Sequence, residues 1–239
     1  MEDIKSLHHG STGYGVIDAI VHHRSLFGYQ FNVDVDDEHV WIDLGSGRGD
    51  VLRYLNEISD GNPKIQIVGF EIDEHCVDES LRQLEPHPNV EVINDTFIVS
   101  AMRRSSARRF TNIMSSRKKI RMFINNDCYR LSDSCTNALR NSVSAQLSVM
   151  LNDVAPVGCI VVSLNPLSLD DWWDVKIVKL DTMKTFVSFD YDADRQYLLI
   201  YRYKRVANKR TRRVSRRNNV IDAFGGDYVD HELHFQQSP

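Results

Sequence analysis

Apolar residues along this 239-residue chain fall into short continuous runs, separated by stretches with helical spacing. Residues 40–44, VWIDL, form one such run and lead into glycine-rich sequence, which predicts a buried strand. Over residues 50–58, Val51, Leu52, Leu55 and Ile58 recur at the spacing of one helix face. A second strand is predicted over 65–70, introduced by Gly61-Asn62-Pro63. A second helix is predicted over 74–84, with Cys76, Val77, Leu81 and Leu84 inward, and Pro86 and Pro88 break it. Residues 90–93 and 120–124 predict the third and fourth strands. A long helix follows over 132–154, and then a fifth strand over 159–164, stopped by Asn165-Pro166. Two more β-like runs, 175–180 and 196–203, have no long helix between them.

Strands alternating with helices predict right-handed crossovers and a mostly parallel sheet covered on both faces. The last two runs, lacking a crossover helix, predict an antiparallel hairpin at one edge. The expected organisation is one α/β domain over 1–204 and a tail over 205–239, basic first and then acidic, outside the core.

A hydrophobic fraction of 42% supports a sizeable core. The four cysteines form no CxxC pair and the histidines no HExxH arrangement, so neither metal nor a disulfide framework is expected. No apolar run reaches the roughly 18 residues of a membrane helix, so no membrane partner is expected. The net charge of −4 hides a segregation. Residues 1–100 hold 6 basic and 19 acidic side chains, residues 101–130 hold 9 and 1, and residues 201–217 hold 9 and none.

The motif with most chemical content is Asp43-Leu44-Gly45-Ser46-Gly47-Arg48-Gly49, between the first strand and the first helix. Glycines there let the backbone turn tightly against a ligand. A dinucleotide fingerprint needs a third glycine at position 50, where Asp50 stands. Carboxylates at both ends of the loop suit a ligand with a positive end and no phosphate. S-adenosylmethionine, with its sulfonium and ammonium, is such a ligand, and Asp43 is placed to pair with the ammonium. Glu71, ending the second strand, is placed to accept from a ribose diol, and Asp95, after the third, from an adenine amino group. These three positions, in this order, resemble the class I S-adenosylmethionine-dependent methyltransferases. That resemblance covers roughly residues 12–204 and implies a Rossmann-like sheet of seven mostly parallel strands ending in an antiparallel hairpin.

Finer features resemble one branch of that class. Tyr14-Gly15 stands near the amino terminus, Phe123-Ile124-Asn125-Asn126 ends the fourth strand, and Ser163 and Pro166 follow the fifth. Val187-Ser188-Phe189 and Tyr197 lie in the late hairpin. This order is similar to the disruptor-of-telomeric-silencing family of histone lysine methyltransferases, which lack a SET domain. Val16, Asp127, Thr96 and Gln196 depart from that family's pattern, and its large upstream helical region is absent. The resemblance implies that Gly45, Ser46, Gly47, Gly49 and Glu71 hold the cofactor, with Asp95 on the adenine and Tyr14 over the methionine end. It places Asn125 and Asn126 beside the methyl path and makes an apolar lysine channel from Phe123, Phe189 and Tyr197. It implies a nucleosomal acceptor and a nuclear, chromatin-regulating protein.

The basic run from Arg202 through Lys204, Arg205, Lys209, Arg210, Arg212, Arg213, Arg216 and Arg217 is expected to contact nucleic-acid phosphates. The leading expectation is therefore a histone lysine methyltransferase. The alternatives are an RNA or DNA methyltransferase guided by the basic segments, and a catalytically inactive chromatin- or nucleic-acid-binding homologue.

Overall fold

The computed structural model describes residues 14–23, 26, 38–84, 87–98, 101–125, 137–181, 197–206 and 219–222. Helix α1 (Tyr14–His22) precedes β1 (His39–Leu44), α2 (Asp50–Ser59), β2 (Ile65–Glu71), α3 (Glu74–Leu84) and β3 (Val90–Asn94). Then come α4 (Arg104–Met114), β4 (Lys119–Ile124), α5 (Asn137–Val154) and β5 (Ile160–Ser163). Strands β6 (Trp173–Asp181), β7 (Tyr197–Arg205) and β8 (Asn219–Asp222) complete the order.

The strands form one sheet in the order β3-β2-β1-β4-β5-β7-β6-β8. Strands β1 to β5 are parallel to their neighbours, whereas β7 runs antiparallel to both β5 and β6. The expected parallel sheet with an antiparallel closing hairpin is what the chain forms. The eighth strand is additional. Residues 219–222 were assigned to a tail outside the core, yet they pair in parallel with β6 along Lys176–Lys179.

Side-chain alternation builds a core on each face of the sheet. Trp41, Ile67, Phe123, Val162 and Ile200 pack with Ile17, Ile20 and Val21 of α1 and Leu52 and Leu55 of α2. Val40, Ile42, Val68, Phe70, Met122 and Val161 pack with Phe110, Ile113 and Met114 of α4 and Leu147 and Leu151 of α5. Such two-sided burial explains why the central strands read as unbroken apolar runs. Leu81 is not inward as expected; it is exposed, and Ser80 takes the buried place on α3. The reason is the close approach of Gly49. A Cβ at that glycine would stand 2.2 Å from Ser80 Oγ, so nothing bulkier than serine fits opposite.

Candidate active site

Asp43, Glu71, Asp95 and Asn125 all lie at the carboxyl edge of the parallel strands, where open α/β sheets take ligands. The glycine loop closes over that edge. Gly45 and Ser46 donate their backbone N–H groups to Phe70 O at 2.9 and 3.0 Å, tying the loop to the end of β2. Gly47 N donates to Glu71 Oε2 at 2.8 Å, and Asp73 N donates to Oε1 at 2.9 Å. Glu71 is thus fixed through both oxygens while each keeps a further acceptor site. Gly47 has φ +53°, and a Cβ there would meet nothing within 4 Å, so the backbone lies open to the crevice. The Ser46 side chain points the other way. Its hydroxyl is buried close to Gly69 and has no hydrogen-bond partner, so Ser46 offers the crevice its backbone.

Asp43 lies beside Gly69 of β2 and Phe123 of β4 in the sheet register and is 2% exposed. Burial pushes its carboxyl up to about 8, and the neighbouring charge of Glu71 adds to the shift. Two carboxylates in one water-poor crevice need either a proton or a cation between them. The amino terminus of α2, just past the loop, carries Asp50 in its first turn, paired with Arg53 at 3.5 Å. A carboxylate in that first turn disfavours a second anion, such as a phosphate, at the helix end.

Asp95 has a structural task that the sequence did not show. Its Oδ2 accepts from Arg103 N at 2.9 Å and Arg103 Nε at 3.1 Å, and its Oδ1 accepts from Thr96 N at 2.8 Å. Burial would raise its carboxyl, but the hydrogen bonds from Ser106, Arg103 and Thr96 prevail and hold it below the usual range. A carboxylate has roughly four acceptor positions. Asp95 therefore ties down the start of α4 with most of its acceptor positions. Two further residues border this part of the edge. Ile72, directly after Glu71, is 54% exposed, an unusual state for isoleucine. The ring of Phe97 lies 3.9 Å from the place a Gly45 Cβ would take. An apolar residue immediately after a strand-end carboxylate was the available signal.

At the next strand ends, Asn125 is 7% exposed, while Asn126 lies outside the described residues. Ser163 is fully buried and its Oγ donates to Asn165 O at 2.7 Å. Tyr203 Oη accepts from Leu167 N at 2.7 Å. Together they fix the loop carrying Pro166, a positioning role. Phe123 does not line a channel. It is 5% exposed and packs against Ile17, Ile20, Trp41 and Leu55 around an apolar cavity of about 10 Å³, at the lower limit for a single water. Its strand parity turns it into the α1–α2 core. Tyr14 opens α1, and only its backbone is described. Tyr197 opens β7. Tyr201 is opposite Ser163, so Tyr197 stands four residues, about 13 Å, beyond the end of β5 on the crevice side. Phe189, Val187 and Ser188 lie outside the described residues.

The basic run also divides. Lys204 is exposed on β7, and Lys209, Arg210, Arg212, Arg213, Arg216 and Arg217 lie outside the described residues. Arg202 and Arg205 are not phosphate ligands; both are 7% exposed. Arg202 Nε donates to Leu26 O at 2.9 Å, and its Nη1 lies 3.4 Å from Asp174. Burial draws its guanidinium down, with Asp174 opposing. Arg205 Nη2 donates to Asn152 O at 3.0 Å, and the guanidinium lies 4.5 Å from the Trp172 ring centroid. Both cations clamp β6, β7 and the end of α5. Arg205→Ala is accordingly expected to cost about 2 kcal/mol in urea denaturation, through lost packing and cation–π contact, with no change in the salt dependence of nucleic-acid binding.

No protein-family model matches the sequence, and no curated protein matches it. Solved structures do resemble the chain. A candidate class I S-adenosylmethionine-dependent methyltransferase from Listeria monocytogenes matches with a TM-score of 0.50 at 8% identity, over 90% of this chain and 66% of that one. An RNA methyltransferase from Salinibacter ruber, in complex with S-adenosyl-L-homocysteine, matches with a TM-score of 0.44 at 17% identity, over 83% and 95%. Precorrin-6y C5,15-methyltransferase from Geobacter metallireducens matches with a TM-score of 0.45 at 13% identity, over 85% and 96%. The strand order and the Listeria likeness agree on the fold, which is the Rossmann-like class I methyltransferase fold.

Proposed function

We propose that the chain is an S-adenosylmethionine-dependent methyltransferase with a nucleic acid, RNA in the first place, as methyl acceptor. The observation that carries the cofactor assignment is the buried pair Asp43 and Glu71 beneath an open, glycine-lined backbone. A cationic ligand relieves the desolvation and mutual repulsion that raise the Asp43 carboxyl. In this reading Asp43 holds the ammonium and Glu71 accepts from the ribose diol. The backbone of residues 45–49 packs against the methionine portion, and Ile72 and Phe97 cover the adenine. When bound, the cofactor supplies a methyl group on a sulfonium, an electrophile that needs no metal.

What the protein adds is positioning. Asn125, at the end of β4, orients the acceptor amine or hydroxyl toward the methyl group. The Ser163–Asn165 and Tyr203–Leu167 contacts hold the floor opposite. Effective molarity from such alignment supplies much of the rate. The Salinibacter ruber relative is an RNA methyltransferase, a likeness at the level of fold. The RNA reading rests on the charge segregation along the sequence, with cations gathered in 101–130 and 201–217 of an otherwise acidic chain, and on the exposed cations among them, such as Arg104, Arg108 and Lys204.

The histone-lysine reading rests on the sequence resemblance. Of its channel, Phe123 is a core residue, Phe189 lies outside the described residues, and Tyr197 opens β7 beyond the end of β5.

Transfer of labelled methyl from S-adenosylmethionine onto total RNA, DNA, free histones and nucleosomes tests the reading. Label is expected in RNA, and Asn125→Ala is expected to lower transfer about 100-fold with a smaller change in cofactor affinity. Label confined to histone would transfer the assignment to lysine. Absence of cofactor binding would end it.

A further inference from the structure

Helix α4 carries charges that its own folding does not call for. Its buried stripe is Ser106, Phe110, Ile113 and Met114, which seats it on the sheet. Its outer face carries Arg104 and Arg108, both exposed and four residues apart. Like charges at that spacing destabilise a helix by a few tenths of a kcal/mol. Arg104 also stands in the first turn, where the helix dipole disfavours a cation, and neither an acidic first turn nor a basic last turn compensates.

Three neighbouring cations are neutralised. Arg103 pairs with Asp95 at 3.1 Å, Arg109 makes a two-pronged pair with Glu91, and Lys118 pairs with Glu38 at 3.3 Å. Among the described residues no ion pair reaches Arg104 or Arg108. Arg104 adjoins the Asp95–Arg103 contact at the carboxyl edge of the sheet, so this face begins beside the candidate crevice. Arg108 follows about 6 Å along the helix.

We propose that the outer face of α4, through Arg104 and Arg108, is a docking surface for the phosphate backbone of the RNA acceptor. It rests on the methyltransferase reading for its acceptor, but its charge argument stands apart from the crevice. Exposed guanidiniums with five donors each, and with no carboxylate paired to them among the described residues, are suited to phosphate oxygens. The surface begins next to the Asp95–Arg103 contact at the edge where the candidate crevice lies.

The test is fluorescence anisotropy of the full-length chain with a labelled 20-nucleotide single-stranded RNA, over a salt series. Arms with DNA of the same sequence and with poly-glutamate run beside it, for wild type and for Arg104→Ala/Arg108→Ala. The double variant is expected to bind RNA roughly three- to tenfold more weakly at 0.1 M salt. Its log–log salt slope should be shallower by about 1.4, the effect of two lost phosphate contacts. Its melting temperature should be unchanged or higher, since a like-charge pair is removed; a packing role would lower it.

An unchanged slope and affinity overturns the proposal. So does wild-type binding of poly-glutamate without RNA, which would make the partner an acidic protein. Equal binding of DNA overturns the choice of RNA. Calorimetry with S-adenosylhomocysteine on the same samples separates the two claims. A slope change without cofactor binding defeats the methyltransferase reading alone, and cofactor binding without a slope change defeats the docking surface alone.

Discussion

Asp43→Asn is expected to stabilise the ligand-free protein at neutral and alkaline pH while weakening cofactor binding by roughly 10- to 100-fold. The two effects have opposite signs because they arise from one buried charge. The wild-type carboxyl is pushed up to about 8 in the fold by burial, with Glu71 adding. In the unfolded chain it titrates near 4. A group whose folded value is raised contributes stability that is fully present below its unfolded value and is lost as pH rises through the folded one. Between about pH 4 and pH 8 the unfolded chain carries the charge and the folded chain does not. The advantage of Asn over Asp therefore grows by about 1.4 kcal/mol per pH unit, an order-of-magnitude slope, and levels off above pH 8. Urea denaturation of both proteins at pH 5, 7 and 9 reads this difference. Binding runs the other way, because the ammonium needs the anion. Wild-type affinity for S-adenosylhomocysteine should rise with pH toward 8, and the Asn variant should lose that rise along with a charge-assisted hydrogen bond of about 1.5–3 kcal/mol. Equal pH profiles for the two proteins would remove Asp43 from the cofactor site.

Gly47→Arg is expected to abolish cofactor binding and methyl transfer while leaving a folded protein. Space around Gly47 is open, so an added Cβ meets no neighbour, and a long side chain there is expected to fill the crevice. The residue keeps φ +53°, which costs an L-residue about 1–2 kcal/mol. That cost is small beside the stability of a domain of this size. Gly49→Ala makes the contrast. Its Cβ would meet Ser80 Oγ at 2.2 Å against the backbone of α3, so its main damage is to stability. Circular dichroism melting beside cofactor calorimetry separates the two. A Gly47→Arg protein that binds cofactor like wild type would place the ligand elsewhere.

Much of the sheet was legible because its central strands are covered on both faces and read as compact apolar runs. The glycine loop and the carboxylates ending β1 and β2 were legible for a related reason. Each stands at the point where an apolar run stops, and strand ends are where this architecture gathers polar groups. Elements that depend on distant partners were not. Helix α1 shows Ile17, Ile20 and Val21 at helical spacing, but in a nine-residue segment rich in β-branched residues this signal is weak. Helix α4 has a four-residue buried stripe inside an arginine-rich segment, so its charge outweighed its periodicity. Arg202 and Arg205 read as the start of a basic tail because their partners are remote. Leu26 lies 176 positions away and Asn152 lies 53 away. Asp95 reads as a ligand carboxylate, and its task of holding Arg103, eight residues on, is visible only in the fold. β8 lies within a segment of mostly polar and charged sequence, and its pairing partner, β6, is about 40 residues earlier in the chain.

The central claim is that the glycine loop, Asp43 and Glu71 bind a cationic nucleoside cofactor. The most direct measurement is titration calorimetry of the full-length chain with S-adenosylhomocysteine at pH 7, in two buffers of different ionisation enthalpy. With its carboxyl near 8, Asp43 is mostly protonated before binding and ionised after it. The account predicts one site per chain and release of nearly one proton, lost in Asp43→Asn. Saturable binding with no proton release, or no binding at all, would contradict it.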